Sequence, residues 1–326
     1  MSKLFLLLFS VLIFSSCAKT DEEAIDSAIQ EAKYHLSVND CSSALSALQE
    51  VDFQTDNAFY IGVYASAQAC GGGYDILGDV IGKIATLDAT SGGLFGSLAV
   101  MSLPVETSAD STNYVAILAA INTLLEAGGG AQPSAANRIT EFGTRKGTDL
   151  NMQALFLVMI ELGKFVAYYA NTDAAGIKGG GSTNADTNVC FGEYTFDADV
   201  NTQLGLSALG NCNNATSGHT DLKSPVAAAT IKTRLCEGIV LFNNFLDILD
   251  NITLSSNSSL GDLSSVGTVL NGIFTLAATA EASASWGGSA VTTIQSITSQ
   301  TTCEAQSDAD LQRYYVLIME SNMTST

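Results

Sequence analysis

The chain has 326 residues, 47 % of them hydrophobic, so it can bury one large core or two ordinary ones and is not a disordered composition. Its 13 Lys+Arg stand against 33 Asp+Glu, a net charge of −20. A surface of that sign repels nucleic-acid phosphates and anionic lipid, which excludes nucleic acid as a partner and membrane binding through the protein's own surface.

Lys3, the apolar run Leu4 to Phe14 broken only by Ser10, and the small residues Ser15 and Ser16 follow the order of an export signal peptide. The apolar part falls short of the about 20 residues that span a bilayer. Phe14-Ser15-Ser16-Cys17 resembles the lipobox of bacterial lipoproteins, with Phe14 where that family usually has Leu. The resemblance implies removal of residues 1–16 and acylation of Cys17 on its thiol and its new N-terminus. It implies a cell-envelope protein, periplasmic or surface-facing, whose membrane partner is reached through the acyl anchor. Ala18 is compatible with the outer membrane. One acyl chain binds only marginally, whereas several anchor stably. An ordinary signal with an incidental Cys is the alternative.

Of seven cysteines, giving Cys17 to lipid leaves an even set: Cys41, Cys70, Cys190, Cys212, Cys236 and Cys303. In an exported chain such a set suggests disulfides, and sequential pairing (41–70, 190–212, 236–303) joins neighbouring elements. Zinc is disfavoured: there is no C-x-x-C, and neither histidine, His35 or His219, stands at ligand spacing.

Residues 21–37 carry Ala24, Ile25, Ala28, Ile29, Ala32 and Leu36 at the spacing of an amphipathic helix. Asn39-Asp40 breaks it. A second helix is expected over about 41–51 and a third over Ala58–Cys70, capped by Asp56 or Asn57 and ended by Gly71-Gly72-Gly73. Tyr74–Leu87 supplies a fourth. Ala32, Asn39-Asp40, Ala44-Leu45 and Val51-Asp52 together resemble the tetratricopeptide repeat, in degenerate form. A weaker echo, with Gly78 and Leu87-Asp88, follows at about the 34-residue period of that class. The resemblance implies a stack of helical hairpins whose concave face binds protein or peptide. Two plain antiparallel hairpins are the alternative.

Residues 91–107 are Gly-rich, apolar and then broken by Pro104. A capped helix is expected over about 110–127, ending at Gly128–Gly130, and a short one from Pro133 to Phe142. Residues 148–171 are apolar almost all round, which marks a central core helix rather than a span, because the uncharged stretch Leu150–Ile160 is too short to cross. Glu161 and Lys164, at i, i+3, are expected to pair at its surface. If a cavity opens here instead, Phe156, Glu161, Lys164, Phe165 and Tyr168 are the candidate ligand contacts.

Residues 172–223 are rich in Gly, Asn, Asp and Thr without periodicity, and read as an insertion pinned by Cys190 and Cys212, with one short helix near Val200–Leu209. "DADVN", residues 197–201, resembles the opening of a calcium loop but lacks its glycine and its last Glu. Calcium is therefore the only cofactor considered, with Asn184, Asp186, Asp197 and Asp199 as ligands. A solvated acidic loop, holding His219 beside Asp221, is the alternative.

Ser224-Pro225 reads as a helix start, running to about Asn251 with Ile231, Leu235, Ile239, Phe242, Leu246 and Leu249 on one face. Another helix spans about 259–284, and a last one begins at Ser307 or Asp308, with Cys303 just before it. Acidic pairs such as Glu22-Glu23 and Asp308/Asp310 suit the positive ends of helices.

The expected fold is all-α: a signal (1–16), a tetratricopeptide-like region of antiparallel hairpins (17–171), the pinned insertion (172–223) and a helical C-terminal region (224–326) packed on the first. No phosphate loop, nucleophile elbow or triad is present, so a non-enzymatic scaffold or binding lipoprotein with an envelope protein or peptide partner is expected. A ligand-binding component of a periplasmic uptake system is the second reading, favoured by a closed pocket beside Phe156, Phe165 and Tyr168. A hydrolase is the third, favoured by a buried carboxylate pair.

Overall fold

The computed structural model describes residues 20–73, 93–102, 110–130, 132–181, 190–194, 218–252, 263–283, 289–320 and 322–323. Cys17, the expected helix at Tyr74–Leu87, Cys212, the expected helix at Val200–Leu209 and the calcium candidates Asn184, Asp186, Asp197 and Asp199 lie outside them. Among the described residues the fold is all-α, with eleven α-helices and no strand.

Helix α1 (Asp21–Ser37) starts in a capping box: Thr20 Oγ1 accepts the Glu23 N–H at 3.2 Å, and Glu23 accepts the Thr20 N–H at 3.0 Å. Its Ala28, Ile29 and Ala32 face inward. Asn39, at φ 59°, turns the chain, and Asp40 caps α2 (Cys41–Leu48) through the Ser43 N–H. That helix stops short of residue 51 because Gln49 and Glu50 form a turn. Asn57, not Asp56, caps α3 (Ala58–Gly71), accepting from Phe59 and Tyr60 at 3.1 Å each. The three helices close a small core of Ile29, Ala32, Ala44, Leu48 and Tyr60. The Tyr60 hydroxyl, pushed up to about 12 by burial, donates to the Leu48 carbonyl at 2.9 Å. A disulfide joins Cys41 to Cys70, their Cα atoms 5.4 Å apart.

The main core surrounds α6 (Ala135–Tyr169). The two helices expected here are joined across Gly143, whose φ of 80° breaks the helical path where only glycine is comfortable. α6 is long and apolar enough to cross a membrane, but 83 % of its apolar window is buried inside the protein. Helices α3, α4 (Leu94–Met101), α5 (Thr112–Leu125) and α7 (Ala228–Asn251) wrap it. Sequence periodicity did not mark α4. It crosses α6 backbone to backbone: a Cβ on Gly163 would stand 2.2 Å from the Leu98 carbonyl oxygen. This encirclement overturns the expected surface pair, since Glu161 and Lys164 are 0 % and 1 % exposed.

Within the expected insertion several described residues belong to the core: Cys190, Phe191, Tyr194, His219 and Leu222 are buried, while Ala174, Ala175, Gly180 and Thr220 are exposed. Lys178 reaches Glu320 at 2.6 Å, and the same carboxylate accepts the Phe191 N–H at 2.6 Å and the Tyr194 hydroxyl at 2.5 Å. That network ties the segment to the C-terminus. Cys190 is disulfide-bonded.

α7 begins at Ala228, not at Pro225, because residues 223–226 form a turn closed by the Val226 N–H to the Lys223 carbonyl. Its residues 235–245 are buried on nearly every side. Helix α8 (Leu263–Ser283) supplies Glu281, whose carboxylate accepts the Ala290 and Val291 N–H groups and so starts α9 (Ala290–Ile294). Asn243 and Asn244 of α7 donate to the carbonyls of Ile294, Ile297 and Thr298. α10 (Gln300–Glu304) is bonded to α7 by Cys236–Cys303, Cα atoms 5.6 Å apart. Ser307 caps α11 (Asp308–Tyr314), which runs into a π turn, Tyr315–Glu320.

Candidate functional site

The end of α5 is an open junction between these layers. Gly128, Gly129 and Gly130, all at positive φ, turn the chain away from it. A Cβ on Gly128 would meet the Arg138 backbone at 2.9 Å, so the turn lies directly on α6. Arg138, fully buried, donates to the Leu125 carbonyl at 2.9 Å and to Asn151 at 2.5 Å, and burial brings its guanidinium down to about 10. Beyond the turn, Gln132 accepts from the Thr298 and Ser299 N–H groups. Each side of this helix end is thereby fixed to a different neighbour.

The result is a ridge with a cleft on either flank. One cleft, of about 510 Å³, runs from Phe53, Asp56 and Ile61 to Thr123, Glu126 and Glu141. The other, of about 260 Å³, has apolar walls from Leu118, Ile121, Leu125 and Val240, a hydroxyl rim from Thr298, Ser299 and Thr301, and Glu237 within it. Asn122 and Glu126 line both, one helical turn apart on α5. Four carboxylates (Asp56, Glu126, Glu141, Glu237) line the pair, and no Lys, Arg or His is among the described lining residues. Phe53 is 48 % exposed at the mouth and meets Tyr64 and Tyr60 edge-on, ring centroids 5.1 and 5.6 Å apart.

Glu237 is 5 % exposed and already engaged. Tyr114 donates to one oxygen in a short hydrogen bond, and Arg234 donates to the other at 3.1 Å while also pairing with Asp110. Burial raises the Glu237 carboxyl above its ordinary range, with Tyr114 and Arg234 pulling the other way. Burial, then Glu237 and Glu161, push the Tyr114 hydroxyl well up. A third cleft, of about 340 Å³, lies at the start of α7, where Lys232 pairs with Asp308 at 3.0 Å over a floor of Ile231, Leu235 and Leu311.

The candidate ligand contacts fare differently. Phe165 packs 4.6 Å from Tyr169, ring to ring, and Tyr168 lies 4.5 Å from His219 and donates to Asp221 at 2.6 Å. Phe156 is partly buried against the same core. None of Phe156, Glu161, Lys164, Phe165 or Tyr168 lines any of the three clefts. His219 is buried beneath the tyrosines rather than set in a polar loop, because α6 and the Thr220–Leu222 turn enclose it. Sequence reasoning passed over Glu126, Glu141 and Glu237. Only Glu237 carried a signal, as a lone carboxylate between Cys236 and Gly238 on an apolar helix.

No protein-family model matches the chain, and no curated protein or solved structure shows significant similarity to it.

Proposed function

We propose that this chain is a lipoprotein of the cell envelope, anchored through acylated Cys17, and that it acts as a non-enzymatic helical scaffold holding a partner in the two clefts that flank α5. In this reading α1–α3 are the start of a tetratricopeptide-like stack, and the clefts are its concave binding face. The observation that carries it is the adjacency of the clefts: Asn122 and Glu126 belong to both, so they form one open surface of a single charge sign. The uptake-system reading loses support because none of the side chains it relied on, Phe156, Phe165 and Tyr168, lines one of the three clefts. The hydrolase reading has four buried carboxylates among the described residues, Glu161, Glu237, Glu281 and Glu320, but only Glu237 lines one of the three clefts, and Tyr114 and Arg234 hold both its oxygens.

Two measurements test the proposal in intact bacteria. Metabolic labelling with an alkyne fatty acid should mark the wild type and not Cys17→Ser; equal labelling removes the anchor. A photo-crosslinking residue at Thr123, in the larger cleft, should give a discrete adduct that the same residue at exposed Leu276 does not. Indistinguishable patterns at the two positions refute the binding surface.

A further inference from the structure

We propose that the occupant of the paired clefts is a peptide segment bearing both basic and apolar side chains, a deepening that rests on the binding reading above. Its cations would sit against Asp56, Glu126 and Glu141, and its apolar side chains in the walls made by Ile61, Leu118, Ile121 and Val240.

The sign of the charge selects the partner. Three exposed carboxylates converge on the larger cleft with no cation among its described lining residues. Two of the guanidiniums are committed elsewhere: Arg138 is buried on the Leu125 carbonyl and Asn151, and Arg234 is paired with Asp110 and Glu237. Like charges left unneutralised at one surface cost free energy, which a cationic partner recovers. Glu126 stands on the ridge, so one cation can meet it from either flank. A second copy of this chain, at net −20, is a poor occupant, as are nucleic acid and anionic lipid. A bare metal ion fits badly too. Among the described residues no group of three or more His, Cys, Asp or Glu could hold one, and the walls are apolar. Apolar walls joined to a one-signed rim suit a chain that presents both kinds of side chain. The exposed Phe53 ring adds a face for a lysine or arginine, a pairing the protein uses itself where Lys33 sits 5.1 Å over Phe59.

The test uses the full chain in detergent and a short fluorescent peptide of alternating lysine and leucine. Binding should be saturable and weaken as salt rises. Acetylating the lysines, or replacing the leucines by serine, should each weaken it by about tenfold or more. The triple variant Asp56→Asn, Glu126→Gln, Glu141→Gln should weaken it to a similar degree. The control triple Glu22→Gln, Asp26→Asn, Asp250→Asn, which removes the same charge away from the clefts, should change it by less than about twofold. All six residues are exposed, so both proteins keep the fold. Equal losses in the two triples reduce the effect to general attraction by a polyanion and overturn the proposal. So does a lysine–serine peptide that binds as well as lysine–leucine, or an acetylated peptide that binds unchanged. If the lysine–leucine peptide fails while the Thr123 adduct forms, the basic segment is refuted and the binding surface stands; loss of both refutes both.

Discussion

Replacing Lys178 by methionine tests whether the segment after α6 is part of the core. The side chain is 1 % exposed and its Nζ lies 2.6 Å from Glu320, which is itself fully buried. Methionine keeps most of the stem volume and removes the charge. Glu320 then retains two neutral donors, the Phe191 N–H and the Tyr194 hydroxyl, around an uncompensated charge. Breaking a buried pair from one side costs about 3–5 kcal/mol. Against a total stability of about 5–15 kcal/mol, that is a large share. The partner change Glu320→Gln in the same molecule removes the stranded charge and still accepts both hydrogen bonds. The double variant should therefore be more stable than Lys178→Met alone, by about 1–3 kcal/mol in a double-mutant cycle. The assay is urea unfolding followed by circular dichroism, without reductant so that the disulfides persist. A Lys178→Met protein within about 1 kcal/mol of the wild type would refute the assignment of this network to the core. So would a double variant no more stable than the single one.

Gly163→Ala should destabilise by about 1–3 kcal/mol, because its Cβ would enter the Leu98 carbonyl, whereas Gly272→Ala on α8, with nothing within 4 Å, should be neutral or gain about 0.5–1 kcal/mol; equal denaturation midpoints would contradict the close α4–α6 crossing. Glu237→Gln carries a pH signature. Burial holds the folded carboxyl above its unfolded value, so its contribution is full below about pH 4 and is lost as pH rises through the raised value. The stability of the wild type minus that of the variant should thus fall as pH rises above the unfolded carboxyl range of about 4, and a flat or rising difference would count against the buried position. Removing Cys236–Cys303 should cost about 4 kcal/mol, and removing Cys41–Cys70 about 0.7 kcal/mol less, because the separations are 67 and 29 residues; the reverse order in paired Cys→Ala unfolding curves would show that loop closure does not govern what these bridges contribute.

The sequence displayed those elements whose pattern is local. The Ala28–Ile29–Ala32 stripe, the Asn57 cap and the apolar girth of 148–171 each lie within one element, and each is present in the structure. What escaped notice depends on distant partners. α9 and α10 are five residues long, too short for a helical period to show, and they form where Glu281 caps one and Asn243 and Asn244 hold the approach to the other. The Gly- and Asn-rich segment looks like surface, yet Lys178, Phe191 and Tyr194 are drawn inward by a carboxylate more than a hundred residues later. Asp56, Glu126 and Glu141 each resemble an ordinary solvated or capping residue. Their convergence exists only after α5 has been turned by its glycines onto α6.

The same framework bears on how a partner could be held. A binding surface made of loops loses part of its gross interaction energy in becoming ordered. Here the ridge is fixed from beneath by Arg138 and Asn151, from one side by the hydrogen bond between Thr123 and Gln68 of α3, and from the other by Gln132 against residues 298 and 299. Glu126 is thus presented on a fixed helix end. At the other end of the chain, α1 begins with the Thr20 cap. Only Ala18 and Lys19 separate that cap from Cys17, so on the proposed reading the anchor residue stands within about 10 Å of the first helix even when the link is fully extended. Asp21, Glu22 and Glu23 stand in that first turn and repel an anionic leaflet. On the proposed reading the acyl chains supply all of the adhesion, the short link keeps α1–α3 close to the bilayer, and the larger cleft, which begins at Phe53 on the loop between α2 and α3, is carried with them.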